Sequence, residues 1–98
     1  MKKAKGIDGK LDVVWSKLVK LRGGMKCEYC NKTTHLNSHH IFSRSNRSVR
    51  WDVENGISLC SGHHTLISSF SAHKTPLEFT YWLEKYKGDK FIGDLRYK

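Results

Sequence analysis

The segments CEYC (Cys27–Cys30), SHHI (Ser38–Ile41) and NGISLCSGHH (Asn55–His64) decide the fold of this chain. They contain all three cysteines and four of the six histidines. A cysteine pair and a cysteine–histidine pair enclose a second set of histidines. Because cysteine and histidine are the common ligands of zinc and related metals, this stretch can hold two separate metal sites.

The first predicted site uses two pairs of ligands with the same spacing. Cys27 and Cys30 are separated by two residues, as are Cys60 and His63, and a tight turn lets both members of such a pair point at one ion. Four ligands of this type suit a tetrahedral structural zinc, whose binding free energy is folding free energy. His64 is the alternative fourth ligand. Free buried cysteines beside a surface histidine are the alternative to a metal site.

The length and net charge of the chain indicate how many domains it forms and what kind of partner it binds. With 98 residues, of which 38% are hydrophobic, it is predicted to form one domain (1–98) with a small core that a metal would stabilise. Lys and Arg number 18 against 9 Asp and Glu, and the net charge of +9 favours a polyanionic partner, nucleic acid before an anionic membrane.

The cellular setting follows from what the sequence contains. The apolar runs are much shorter than the roughly 20 residues that span a bilayer, and the N-terminus does not resemble a signal peptide. Three cysteines, two of them spaced as C-x-x-C, favour metal ligation over disulfides. We therefore expect an intracellular protein without a membrane partner.

The remaining sequence predicts an α+β fold with helices on both sides of the metal-binding stretch. Residues 1–7 are predicted to form a basic tail and residues 8–22 a helix, with apolar residues at helical spacing that should face the core. They are Leu11, Val14, Trp15, Leu18 and Leu21. A second terminal helix is predicted over 75–87, with a capping box at Thr75 and Glu78. Residues 89–98 have no clear pattern.

Between these helices, residues 36–42 and 57–59 are predicted to be strands, and a helix is predicted from about 61 to 69. Residues 43–54 are polar and basic and should connect the two strands.

The order of these motifs resembles the HNH nuclease family over residues 25–72. The motifs occur in the same order as in the family: the cysteine pair, His39-His40 at a strand end, Asn55, and the segment from Leu59 to His64. The resemblance implies a ββα-metal core, in which a hairpin and a helix bind one divalent cation, stabilised by a structural zinc knuckle. The flanking helices lie outside the resemblance.

The resemblance also implies roles for individual residues. His40 matches the general base, His39 and His64 match the ligands of a catalytic divalent metal, and Asn55 matches the asparagine that holds the loop by bonding to backbone. His63 replaces the usual fourth cysteine, and His39 replaces the commoner aspartate. Two neutral imidazoles favour Mn²⁺, Ni²⁺, Co²⁺ or Zn²⁺ over Mg²⁺. His35 and His73 lie outside the motif and are expected to be ordinary surface or core residues, with contact to a phosphate as the alternative for His73.

Three arginines, Arg44, Arg47 and Arg50, follow the histidine pair and are predicted to bind DNA phosphates, with a solvated basic loop as the alternative. The resemblance thus implies a metal-dependent DNA endonuclease or nickase, expected to be a monomer or a weak dimer. The alternative function is a non-catalytic zinc-knuckle module that binds nucleic acid. By analogy with small phage and prophage enzymes of this type, bacterial or phage origin and DNA-packaging or other DNA-processing partners are expected.

Overall fold

The computed structural model describes residues 6–88 and 90–98, which fold as predicted into the α+β class. The elements in chain order are α1 (Ile7–Arg22), β1 (Leu36–His40), a 3₁₀ turn (Val53–Asn55), β2 (Gly56–Cys60), a π turn (Gly62–Leu66), α2 (Pro76–Lys87) and α3 (Phe91–Arg96). The predicted basic tail ends earlier than expected because Ile7 is already helical, and residues 1–5 lie outside the described residues. Among the described residues, every helix is too short or too polar to cross a bilayer.

The two strands form an antiparallel hairpin that sets the positions of the histidine pair. Leu36 lies opposite Cys60, and His40 lies opposite Gly56. All five residues of β2 are buried, whereas those of β1 are half-buried. A Cβ at Gly56 would overlap the side chains of Val19 and Trp15, so only glycine lets α1 approach the hairpin this closely.

The hydrophobic core lies between β2 and α2. Its buried members are Cys27, Ile57, Leu59, Cys60, Ala72, Phe79 and Leu83. Two of the seven are predicted zinc ligands, so the metal-binding stretch is part of the core. We therefore expect the packing of the core to depend on whether these two cysteines bind a metal.

The prediction that the apolar stripe of α1 faces the core is wrong for most of the stripe. Trp15 is 3% exposed, and the neighbouring Val19 is 2% exposed. Four predicted core residues are 40–62% exposed: Leu11, Val14, Leu18 and Leu21. They lie roughly a quarter-turn around the helix from Trp15. The face that meets the domain also carries Asp8 and Asp12, whose carboxylates bind arginines of the connecting loop, and these ion pairs set the rotation of the helix.

The predicted helix over 61–69 is also wrong in length. The chain makes only the π turn, which closes with a bond from the Ile67 N–H to the Gly62 carbonyl at 2.8 Å. It then turns back, and the Ala72 N–H donates to the His63 carbonyl at 2.8 Å. The backbone of residues 67–73 thus bonds to the π turn instead of extending it. This turn brings His73 beside His64.

The predicted capping box of α2 does not form. The Thr75 hydroxyl donates to the Ser71 carbonyl and accepts from the Ser71 N–H, each at 3.0 Å, so it stabilises the preceding turn instead of the helix. α2 still begins at Pro76, where a missing N–H costs nothing, and ends before Gly88 with φ of +104°. The short helix α3 follows and was not predicted.

Candidate metal centres

The first cluster consists of the predicted zinc ligands. One ligand atom from each of four residues lies within 4.8 Å of all the others: Cys27, Cys30, Cys60 and His63. The sulfur atoms of Cys30 and Cys60 are 3.9 Å apart, and the Cys60 sulfur is 3.3 Å from Nδ1 of His63. Ligands at about 2.3 Å from a tetrahedral zinc would be about 3.8 Å apart. The donor types and their spacing fit a metal ion such as zinc.

The backbone around Cys27 shapes this cluster before any metal arrives. Asn31 adopts φ of +69°, a left-handed conformation that asparagine tolerates, and its N–H donates to the Cys27 carbonyl at 2.8 Å. Burial raises the pKa of the Cys27 thiol, but nearby backbone N–H groups, that of Cys60 foremost, outweigh burial and hold this pKa below its usual value. A lowered pKa favours the thiolate, which is the form that binds metal.

The side chain of Glu28 links this turn to the hairpin and to α2 by hydrogen bonds. Its carboxylate accepts from the Ser58 N–H at 2.9 Å and from the Tyr86 hydroxyl at 2.7 Å. Burial of the phenol, together with this bond, raises the pKa of Tyr86 to about 12. The Glu28 side chain is only 6% exposed, so these bonds satisfy a nearly buried charge.

The second cluster contains three imidazoles. His39, His64 and His73 each place a ring nitrogen within 4.8 Å of the other two. The Nε2 atoms of His64 and His73 are 3.2 Å apart. Nitrogen ligands at about 2.0–2.1 Å from one tetrahedral ion would be separated by about 3.4 Å. His39 comes from the end of β1, His64 from the π turn and His73 from the turn that follows it.

The environment disfavours protonation of two of these rings, those of His39 and His64. Burial, reinforced by the neighbouring histidines, lowers the pKa of His39 to about 3. Burial and then His73 lower the pKa of His64. The Nδ1 of His64 lies 3.2 Å from the side-chain oxygen of Asn37, which can only accept, so the proton of a neutral His64 is on Nδ1. Its Nε2 lone pair therefore points into the cluster, as a metal ligand requires.

His40 lies next to this cluster but is held separately. Its Nε2 is 2.9 Å from the Arg50 carbonyl oxygen, and its ring stacks on that of Trp15 with centroids 3.8 Å apart. Burial lowers the pKa of His40, although the bond to Arg50 opposes that shift. A neutral imidazole that does not belong to the three-histidine cluster can accept a proton.

Asn55 fixes the strand end that carries His39 and His40. It is fully buried, its side-chain oxygen accepts from the Phe42 N–H at 2.8 Å, and its side-chain nitrogen donates to the Phe42 carbonyl at 3.0 Å. The Asn55 carbonyl also accepts from the Ile41 N–H at 2.9 Å. The two bonds to Phe42 join the Asn55 side chain to backbone, as the predicted role of this asparagine requires.

A cleft of about 690 Å³ opens over the second cluster and His40. All four of these histidines line it, and so do Arg44 and Arg96. The rest of the wall is mostly apolar, from Ile41, Phe42, Ala72, Pro76, Phe79, Leu83 and Ile92, with three hydroxyl residues, Ser38, Ser43 and Thr80. The three-histidine cluster is thus accessible to a ligand that enters the cleft, and two cationic side chains border the path.

The three loop arginines predicted to bind phosphate are each paired with a carboxylate of α1. Arg44 and Arg50 bind Asp12 at 3.0 and 2.8 Å, and Arg47 binds Asp8 at 3.0 Å. The Arg50 side chain is 12% exposed, whereas Arg44 and Arg47 are 62% and 59% exposed. Arg50 is therefore mainly a structural contact. Phosphate binding by this group stays a prediction, which Arg44 fits best because it also lines the cleft.

The structure separates the two adjacent histidines that the sequence left interchangeable. His63 lies with the cysteines, and His64 lies with His39. His73 lies at the surface, which is one of the two positions expected for it, but its ring also belongs to the second cluster, which was not predicted. His35 is exposed and belongs to neither cluster. Sequence spacing gave no signal for His73, because the turn that places it interrupts the predicted helix.

Comparison of the sequence with protein-family models and curated proteins found no significant match, and comparison with solved structures found none either. The function is therefore inferred from the geometry of the two clusters and from the resemblance of the motifs.

Proposed function

We propose that this chain is a metal-dependent DNA endonuclease or nickase of the HNH type, with a ββα-metal core. The observation that carries the proposal is an open three-histidine cluster beside a fourth, separately held imidazole in one cleft. A zinc-dependent binding module needs only the Cys₃His cluster and has no use for this arrangement. Besides the His63 and His39 replacements, the core departs from the family pattern in that a π turn takes the place of the helix after β2.

In this proposal His40 is the general base. It takes a proton from the water that attacks phosphorus, for which a neutral imidazole is suited near neutral pH. Asn55 holds the end of β1 so that the ring faces the cleft. His39, His64 and His73 would hold a divalent cation, which would neutralise charge that builds on the phosphate and stabilise the leaving 3′ oxygen.

The ligand set narrows the choice of cation. Three neutral nitrogen donors favour Mn²⁺, Co²⁺, Ni²⁺ or Zn²⁺ over Mg²⁺, which prefers oxygen. The third histidine strengthens the expectation that two histidines had raised. A protein that cleaves DNA only with Mg²⁺ would contradict this assignment.

DNA is the proposed substrate because the chain carries a net charge of +9 and because Arg44 and Arg96 border the cleft. Contacts of this type bind the sugar–phosphate backbone and carry little sequence information. We therefore expect low sequence specificity and an affinity that falls steeply with added salt.

A plasmid-nicking assay tests the proposal. Zinc-loaded wild type and His40→Ala are compared with Mn²⁺, Ni²⁺ and Mg²⁺ at equal measured zinc content. The proposal predicts nicking by wild type and at least a 100-fold slower rate for His40→Ala, in line with the usual contribution of a general base. If neither protein cuts with any metal and both bind DNA equally, the Cys₃His cluster alone defines the function, as a zinc-knuckle binding module.

A further inference from the structure

The closest aromatic neighbour of His40 comes from α1, outside the segment that resembles a nuclease. Trp15 stacks on the imidazole with an interplanar angle of 6° and a centroid separation of 3.8 Å. The indole is itself fixed, since it is 3% exposed and its N–H donates to the Asp52 carbonyl at 2.8 Å. A buried, anchored indole face restricts rotation of the imidazole that lies flat against it.

The hydrogen bond of His40 determines which nitrogen carries its proton. Nε2 lies 2.9 Å from the Arg50 carbonyl oxygen, and a carbonyl oxygen can only accept. In neutral His40 the proton is therefore on Nε2, and Nδ1 keeps the lone pair that can accept another proton.

The Arg50 carbonyl is in turn positioned by α1. Asp12 accepts from the Arg50 guanidinium at 2.8 and 3.1 Å and from the Trp51 indole N–H at 2.9 Å. One turn of α1 thus supplies both the stacking ring and the carboxylate that holds the hydrogen-bond acceptor of His40. Both restraints act on the same imidazole from different sides.

We propose that Trp15 is a positioning residue for His40, and that together with Asp12 it fixes the ring so that Nδ1 is the atom that accepts the proton. The catalytic part of this inference rests on the proposed nuclease function. The ring orientation and the position of the proton do not, so they can be tested without activity.

The first test is ¹⁵N NMR of the zinc-loaded full chain at a pH above the usual histidine pKa of about 6.5. The signals of His40 are assigned by their loss in His40→Gln. We expect a protonated Nε2 and an unprotonated Nδ1 in wild type, and a mixture of the two tautomers in Trp15→Leu. A proton on Nδ1 in wild type would overturn the inference.

The second test separates positioning from stability. Trp15→Leu is compared with Trp15→Phe, which keeps an aromatic face, and with Val19→Ala, which weakens the same helix–hairpin contact without touching the His40 ring. We expect kcat for plasmid nicking to fall about 10- to 100-fold in Trp15→Leu with KM little changed. Trp15→Phe should recover most of that loss, and Val19→Ala should melt at a lower temperature with nearly wild-type kcat.

Equal losses of kcat in Trp15→Leu and Val19→Ala would show that Trp15 acts only through packing and would overturn the inference. If Trp15→Leu does not fold, two other results decide the question. They are the tautomer of His40 in wild type, and the kcat of Trp15→Phe compared with the kcat of Val19→Ala. If wild type cuts nothing, the proposed function fails, while the NMR result still decides the position of the proton.

Discussion

The two clusters differ in closure, although adjacent residues of one turn contribute to both. The Cys₃His cluster offers four ligands, which would fill a tetrahedral shell and leave no position for another molecule. Cys27 and Cys60 are buried in the core, whereas Cys30 is exposed. The three-histidine cluster has three ligands and opens on the cleft. Four protein ligands are typical of structural zinc, and three with an open position are typical of reactive metals. The two clusters thus differ in ligand number and in access from the cleft, which motif spacing alone does not reveal, and on this difference we propose a folding role for the first and a reactive role for the second.

The largest expected effect comes from breaking the closed cluster. Cys60→Ser should abolish cooperative unfolding, because structural zinc contributes about 10–16 kcal/mol in small domains whose total stability is about 5–15 kcal/mol. Circular dichroism during heating, with zinc content measured on the same sample, checks this. The matched control is His35→Asn, since His35 is outside both clusters and its φ of +53° suits asparagine. A Cys60→Ser protein that melts within a few degrees of wild type would contradict the structural role.

Breaking the open cluster should leave the fold intact. We expect His73→Ala to melt close to wild type but to bind a second cation, beyond the structural zinc, at least about tenfold more weakly, since even indirect partners of a metal site affect affinity by about 10- to 100-fold. Titration calorimetry with Mn²⁺ on zinc-loaded protein measures this. His35→Asn is again the control and should bind like wild type. Equal affinities for wild type and His73→Ala would remove His73 from the site.

The support of the open cluster can be weakened without touching a ligand. Asn55→Ala leaves the N–H and carbonyl of the half-buried Phe42 without their Asn55 partners, so the free energy of unfolding should fall by about 2–4 kcal/mol. Urea unfolding of zinc-loaded protein measures the loss. Asn46→Ala, at an exposed position in the loop, should cost less than about 1 kcal/mol. A similar loss for both variants would argue against a special role for Asn55.

The sequence predicted those features of the fold and of the two clusters that depend on residues close together in the chain, and it failed for features that depend on distant residues. The C-x-x-C turn, the second ligand pair and the two strands follow from local pattern, and they were predicted at or near their observed positions, although β1 ends at His40 instead of Phe42. The rotation of α1 was not, because its contacts to Arg47 and Arg50 join residues nearly forty positions apart, and the apolar pattern of Leu11, Val14 and Leu18 does not reveal them. His73 was missed because the backbone bond from Ala72 to His63 replaces a helix that local pattern favoured.

The smallest expected effect concerns acid stability at α1. The hydrogen bond from Arg50 lowers the pKa of Asp12 in the folded state, so its stabilising contribution is fully present above the unfolded pKa of about 3.9 and is lost as the pH falls through the folded value. Asp12→Asn should therefore be about 1 kcal/mol less stable than wild type at neutral pH. This gap should close below about pH 4. Urea unfolding of both proteins across this range checks it, and a gap independent of pH would show that the charge of Asp12 is not what stabilises the fold.

The most direct test of the difference between the clusters is one sample in which metal content and activity are measured together. Wild type is prepared with one zinc per chain and assayed for plasmid nicking before and after Mn²⁺ is added. We predict no nicking with the single zinc, nicking after Mn²⁺ is added, and an at least 100-fold slower rate with Mn²⁺ in His40→Ala. Two results would contradict the division into a closed structural site and an open reactive one. The first is full activity with one zinc per chain that is changed neither by added Mn²⁺ nor by His39→Ala. The second is the absence of activity under any condition.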